Sequence, residues 1–150
     1  MRYSTRLSDA VHILTFIALN KNQGLTSERI AESIRTNPAH VRKFMSQLKR
    51  EGIIDNTRGH PCPVLARDAS EISLLDVYRA VEGDKPLLHL DTHTYPDCGM
   101  GIMIQMSLKD FYDVIQRDIE TELDSISIQD VISRYENKCG SDVQEENGSF

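Results

Sequence analysis

Two short amphipathic helices separated by a four-residue turn restrict the fold of this chain more than any other feature. Residues 25–34 (LTSERIAESI) place three apolar side chains on one helical face, namely Ile30, Ala31 and Ile34. After the turn at 35–38, Asn37 and Pro38 form a strong start signal for a second helix, because Asn caps orphan N–H groups and Pro has none to leave unpaired. Gly52 ends that helix after about Glu51.

The flanking segments extend this pair to a recognisable architecture. Residues 7–19 are densely apolar and predict a buried helix capped by Ser8. Residues 53–57 and 63–67 predict two short strands joined by a turn, and residues 73–82 predict another helix with Ser73 and Asp76 as its capping box. We therefore expect a mainly α fold with a small β-hairpin, that is, a winged helix-turn-helix, followed by a long C-terminal dimerisation helix.

The C-terminal half is predicted to be organised by one long helix over residues 101–124. Its apolar side chains recur at helical spacing, at Ile104, Leu108, Phe111, Ile115, Ile119 and Leu123. A helix of about 24 residues is about 36 Å long, more than a domain this small normally covers, so we expect its stripe to pair with a second copy. A short helix is predicted from Ser127 to about Tyr135.

These patterns divide the chain into four predicted segments. Residues 1–83 form the winged helix-turn-helix DNA-binding domain, residues 84–100 an irregular, sensor-like loop with two prolines, residues 101–136 a helical dimerisation region, and residues 137–150 a disordered tail without apolar period. No run of 18 apolar residues and no apolar signal-peptide core is present, so we expect a cytoplasmic protein without a membrane span.

Charge is distributed unevenly along the chain, although its total is only −6. Residues 1–67 hold 11 Lys and Arg against 5 Asp and Glu, a net of +6, whereas residues 68–150 hold 6 against 18, a net of −12. Such a division indicates a nucleic-acid surface on the basic half.

The second helix of the pair supplies most of the candidate DNA contacts. Its polar face suits the major groove, where Lys and Arg reach phosphates or guanine edges and Ser and His reach base edges. The turn of the hairpin would be the wing, entering a minor groove. Candidate contacts are Tyr3, Ser27, Asn37, Ala39, His40, Arg42, Lys43, Ser46, Lys49, Arg50 and, in the wing, Arg58 and His60.

Three blocks together resemble the Rrf-two (BadM-type) family of bacterial winged-helix regulators. They are LSDAVHILTFIAL, TSERIAESIRTNPAHVRKFMSQLKREGII and ISLLDVYRAVEG, and the resemblance spans about residues 1–135. It implies a homodimer held by the long helix and a palindromic operator bound through two winged helices. The wing departs from the family, since RGHPCP replaces the Gly-rich turn and aromatic residue of many members. The dimer interface would use Ile104, Leu108, Phe111, Ile115 and Ile119.

The three cysteines, Cys62, Cys98 and Cys139, raise the question of a sensor. Some members of the family bind an iron–sulfur cluster through three closely spaced cysteines before the long helix, but this chain has only Cys98 there, so we expect no cofactor. In the loop around Cys98, this chain is more similar to family members that resemble thiol sensors. A helix N-terminus stabilises a thiolate, and Cys98 precedes the long helix, so Cys98 is the predicted redox switch, with Cys139 as its resolving partner within or between protomers.

Other functions remain open at this point. The sequence has no phosphate-binding glycine loop, nucleophile elbow or metalloprotease spacing, so we expect no enzyme. Some winged helices serve as protein-interaction adaptors without binding DNA, and a metal, an iron–sulfur cluster or a small molecule could replace the thiol signal. The interpretation that the residues favour is a repressor whose partners are double-stranded DNA and a second copy of the chain.

Overall fold

The computed structural model describes residues 4–21, 23–55, 62–90, 93 and 97–146. Six helices and two short strands occur in this part of the chain. Their bounds are α1 Arg6–Leu19, α2 Ser27–Ile34, α3 Pro38–Arg50, β1 Ile54–Asp55, β2 Val64–Leu65, α4 Leu74–Glu82, α5 Gly99–Ser125 and α6 Ile128–Glu146. A single 3₁₀ turn, Ala69–Glu71, precedes α4. The predicted fold class, mainly helical with one small antiparallel sheet, is confirmed.

The helix-turn-helix is built by local capping. Thr26 Oγ1 accepts the Arg29 N–H at 3.3 Å at the start of α2, and Asn37 Oδ1 accepts the Ala39 N–H at 2.8 Å at the start of α3. Between them, Arg35 has φ 57°, and its N–H closes the last turn of α2. An L-residue in this left-handed region is uncommon, so the tight turn here is maintained at a local conformational cost.

One apolar core joins the winged helix to the C-terminal helix. Fully buried side chains come from every layer, including Ile13, Leu14, Ile30, Phe44, Leu48, Ile72, Val77 and Ile128. The strands pair antiparallel, with Ile54 opposite Leu65 and Asp55 opposite Val64. Two backbone hydrogen bonds, Leu74 N–H to Ile126 O and Ile128 N–H to Ile72 O, both 2.8 Å, tie the start of α4 to the α5–α6 junction. Helix α6 is therefore fixed to the winged helix at its N-terminal end.

Helix α6 is longer than predicted. We expected it to end near Tyr135 and expected residues 137–150 to be disordered, but it continues to Glu146. Once Ile128 and Ile132 have docked in the core, helix propagation is far less costly than nucleation, so residues without apolar period still extend it. The predicted helix end near Tyr135 is thus corrected to Glu146, the expected disorder of residues 137–150 stays a prediction, and residues 147–150 lie outside the described part.

Two smaller expectations also differ. Helix α1 begins at Arg6, with Thr5 at the N-cap, so Ser8 lies inside the helix instead of capping it. Strand β2 has two residues and is shorter than the predicted 63–67, whereas β1 begins at Ile54 instead of residue 53, and residues 56–57 of the predicted first strand lie outside the described part. The predicted capping box of α4 is confirmed, since Asp76 N–H donates to Ser73 Oγ and Ser73 N–H donates to Asp76 Oδ2, both at 3.1 Å.

Candidate nucleic-acid interface

The outer face of α3 is exposed and polar, as the sequence predicted. Val41, Phe44 and Leu48 are at most 2% exposed and turn inward. The opposite side consists of exposed residues that were all predicted as DNA contacts: Ala39, His40, Arg42, Lys43, Ser46, Lys49 and Arg50. The helix therefore has the form that major-groove reading requires, an apolar side fixed in the core and a free polar side.

Arg6 holds α3 against the rest of the domain. Its guanidinium donates from Nε and Nη2 to Val81 O, at 3.0 and 2.6 Å, and from Nη2 to Gln47 Oε1 at 3.0 Å. It also lies 5.3 Å from the centroid of the Phe44 ring. Val81 O is one of the last carbonyls of α4, so a single side chain caps α4 and fixes one flank of α3. This role of Arg6 was not predicted from the sequence.

The cations of α3 differ in their availability. Arg42 pairs with Glu28 of α2, with Nη1 3.4 Å from Oε1. In the part of the chain that the structure describes, Lys43, Lys49 and Arg50 have no ion pair, so their charge faces solvent. Asn37, another predicted contact, has its side-chain oxygen committed to the helix cap.

A cleft of about 780 Å³ lies beside α3, between this helix, the start of α2 and the strands. Ser27, Arg42, Ser46 and Lys49 line it, and Ser27 is half-buried at the first position of α2. Cys62 also lines this cleft, a placement for which the sequence carried no signal. The predicted contacts Tyr3, Arg58 and His60 lie outside the described residues.

Helix α5 differs from α3 in having no buried residue along its 27 positions. The five residues predicted for the dimer interface fall into two groups in the structure. Leu108 and Ile119 are half-buried on the side facing the protomer, whereas Ile104, Phe111 and Ile115 are 57%, 69% and 42% exposed. Further exposed apolar residues join the latter on the same side of the helix, Met100, Met103 and Val114, and we call these six residues the α5 apolar face. These three residues were not predicted as part of the interface, although their helical spacing in the sequence could have indicated it.

The two predicted switch cysteines are both exposed. Cys98 is the N-cap of α5, and its Sγ accepts the Gly101 N–H at 3.4 Å. Helix α5 extends about 40 Å from Cys98, and the segment from its end to Cys139 spans at most about 30 Å. The two Cα atoms of one protomer are therefore more than about 10 Å apart, too far for a disulfide without rearrangement.

The architecture and the basic face of α3 define the chain as a winged-helix transcription regulator. A family model described as "Rrf2: Iron-dependent Transcriptional regulator" matches residues 3–134, and the chain belongs to this Rrf2 family. The family consists of transcription regulators and not of enzymes. Within the described residues, none of the helices combines the length and apolar character of a membrane span.

Individual relatives agree with this membership. The chain is 38% identical over 130 residues to YwnA of Bacillus subtilis, named as an HTH-type transcriptional regulator, covering 87% of this chain and 96% of that one. A crystal structure of a protein described as DNA-binding is also 38% identical, with a TM-score of 0.70 and coverage of 85% and 98%. CymR, the global cysteine regulator of B. subtilis, shares the fold at 19% identity, with a TM-score of 0.65 and coverage of 89% and 97%.

The family description raises the question of iron. Among the described residues, no group of three or more His, Cys, Asp or Glu side chains is arranged to hold a metal ion. The three cysteines lie on three separate elements, Cys62 beside β2, Cys98 at the start of α5 and Cys139 in α6. This donor set does not fit a cluster bound mainly by thiolates of one protomer.

Proposed function

We propose that the protein is a dimeric repressor that binds a palindromic operator through two copies of α3. The observation that carries the proposal is the outer face of α3, where Lys43, Lys49 and Arg50 are exposed and unpaired in the described part of the chain, beside the small side chains of Ala39 and Ser46. Cations without carboxylate partners favour phosphate and guanine binding, and the small residues allow close approach to the bases.

The α5 apolar face supports the dimer. Six apolar side chains, three of them Met or Phe residues more than 60% exposed, would be unfavourable in water on a monomer. Two copies of the same face related by a two-fold axis would bury one another. The half-buried side of the helix stays with its own protomer, where Gln116 Oε1 accepts the Leu87 N–H at 2.9 Å and Arg79 lies 3.6 Å from Glu120.

A two-fold dimer determines the form of the operator. Each α3 would enter the major groove of one half-site, and the half-sites would be inverted copies whose centres are about 10 bp apart. Binding there would block access to a promoter that contains or overlaps the operator.

Cys98 supports a thiol switch in this dimer. Its sulfur is exposed at the N-terminus of α5, where the Gly101 N–H would stabilise negative charge on it. A peroxide would oxidise the thiolate to sulfenic acid, releasing an alcohol or water. The Cys139 thiol of the partner subunit would then form the disulfide and release water. Pairing across the dimer would change the angle between the two α5 helices and so the spacing of the two α3 helices.

Fluorescence anisotropy tests this proposal. A labelled duplex from upstream of the protein's own gene and a scrambled duplex are titrated at one fixed salt concentration, first with reduced protein and then after mild peroxide treatment. We expect tighter binding to the upstream duplex and its loss on oxidation. Cys98→Ser should bind equally well and ignore peroxide, whereas the matched Cys62→Ser variant should remain sensitive.

Each other result has a definite meaning. If the Cys98→Ser protein still releases DNA under peroxide, the proposed Cys98 switch is wrong, but the proposal of a DNA-binding repressor stands. Absence of DNA binding even at low salt overturns the repressor and favours a protein-interaction adaptor.

A further inference from the structure

A second basic cleft lies on the flank of α3 opposite to α2 and the strands. Its volume is about 470 Å³, and it is bounded by α3, the start of α1 and the C-terminal end of α4. We call it the α4 cleft. Two carboxylates line it, Glu51 and Glu82, together with five cations, Arg6, Lys43, Arg50, Arg79 and Lys85.

These cations are not equivalent. Arg6 is engaged with Val81 O, Gln47 and Glu82, and Arg79 is paired with Glu120. In the described part of the chain, by contrast, the side chains of Lys43, Arg50 and Lys85 have neither a hydrogen bond nor an ion pair, and all three are exposed. The charge of Glu82 is largely compensated by Arg6, so three free cations face the one unpaired carboxylate of Glu51, and the cleft retains a net positive charge of about two.

The backbone at Lys85 is held firmly although its side chain is exposed. Gly83, with φ 69°, ends α4 and turns the chain back along the cleft. The Tyr78 hydroxyl donates to Lys85 O, and Leu87 N–H donates to Gln116 of α5. A tyrosine hydroxyl is protonated across the neutral range, and burial raises the pKa of Tyr78 further, so this hydroxyl continues to donate. Lys85 is therefore a free cation on an ordered turn.

We propose that the α4 cleft binds a backbone phosphate of double-stranded DNA, with Lys85 as a contact from outside the helix-turn-helix. Lys43 and Arg50 belong both to the outer face of α3 and to this cleft, so a duplex seated on α3 brings its backbone to the same side chains. This inference rests on the proposed DNA binding and extends it, because the footprint then includes the turn that begins the sensor-like loop.

A backbone contact has a distinctive signature. Phosphate contacts carry no sequence information, and each adds about 0.9 to the slope of log affinity against log salt. Loss of one contact per protomer should therefore reduce the slope of the dimer by about 1.8. It should leave the ratio of affinities for specific and scrambled DNA unchanged.

The experiment measures this slope for a labelled 30-bp scrambled duplex and for the upstream duplex, each at several salt concentrations. We expect Lys85→Gln to reduce the slope on both duplexes. The matched control is Lys109→Gln, which removes the same charge from α5, where Lys109 is paired with Asp113. It should leave the slope unchanged. Circular dichroism melting of both variants checks that the fold is retained, as expected for two exposed side chains.

Two results would overturn the inference. Equal slopes for the wild type and Lys85→Gln, in a series where Lys43→Gln does reduce the slope, would show that DNA contacts α3 but not the cleft, and the proposed function would survive. A wild-type protein without salt-dependent DNA binding would overturn the proposed function, and this inference with it.

Discussion

Helices α3 and α5 both have apolar side chains at helical spacing, yet the fold uses them in different ways. In α3, Val41, Phe44 and Leu48 are buried in the protomer's core, so the outward face is polar apart from the small Ala39. In α5 no residue is buried, and large side chains such as Phe111 remain exposed. An apolar stripe predicts that a helix will be covered, but only the structure shows whether the protomer itself covers it.

The strongest test of this comparison replaces a phenylalanine in each helix by alanine. Phe44→Ala should lower the free energy of unfolding by about 3–5 kcal/mol, because Phe44 is 2% exposed and its loss leaves a cavity under the Arg6 guanidinium. Urea denaturation followed by circular dichroism measures this effect. A loss below about 1 kcal/mol would mean that α3 is not anchored in the core as described.

Phe111→Ala is the matched change in α5. Phe111 is 69% exposed on the protomer, so its truncation should spare the packing of the monomer and weaken the dimer instead. For a central interface aromatic we expect a loss of about 2 kcal/mol, or about 30-fold in the dimer dissociation constant. Sedimentation equilibrium measures the constant, and an unchanged value would exclude the α5 apolar face from the interface.

The cap of α3 should have a smaller effect. Asn37→Ala removes the acceptor for the Ala39 N–H and should cost about 1 kcal/mol of stability, again measured by urea denaturation. Asn37→Ser should recover most of this loss because serine also caps well. If Ser and Ala destabilise equally, Asn37 acts through something other than its cap.

The smallest expected effect concerns acid and the start of α6. Hydrogen bonds from the backbone and the hydroxyl of Ser127 hold the pKa of Asp130 below its ordinary value of 3.8. Because the folded value is the lower one, the carboxylate stabilises the fold above about pH 3.8, and this stabilisation is lost as pH falls through the folded value.

The variant Asp130→Asn isolates this carboxylate. Urea midpoints of the wild type should fall more steeply than those of Asp130→Asn between about pH 4 and pH 2. Parallel curves for the two proteins would show that the Ser127 hydrogen bonds do not depend on the charge of Asp130.

The sequence predicted best those features that depend on neighbouring residues. The starts of two helices were predicted correctly because capping is a local interaction: α3 from Asn37 and Pro38, and α4 from Ser73 and Asp76. The exposed face of α3 followed from the same periodicity. The start of α1 was predicted less well, since Arg6 is held by the distant Val81. The length of α6 was also missed, since the helix is anchored at its start by the distant contact of Ile128 with Ile72.

The candidate site shows the same limit. The cations of α3 could be chosen from the helical wheel, but the division between engaged and free cations depends on Glu28, Glu82 and Glu120, which lie on other elements. The role of Arg6 and the position of Lys85 beside α3 follow from tertiary packing. No spacing in the sequence indicates them.

In the proposed dimer, the α5 apolar face pairs two copies so that two α3 helices read one operator. Selection of binding sites from a random-sequence duplex library, followed by sequencing, tests it most directly and requires no known target gene. We expect enrichment of an inverted repeat with half-site centres about 10 bp apart, and loss of that enrichment with Phe111→Ala at concentrations where the variant is monomeric. Enrichment of a single, non-repeated site by the wild-type protein, or of no sequence at all, would contradict it.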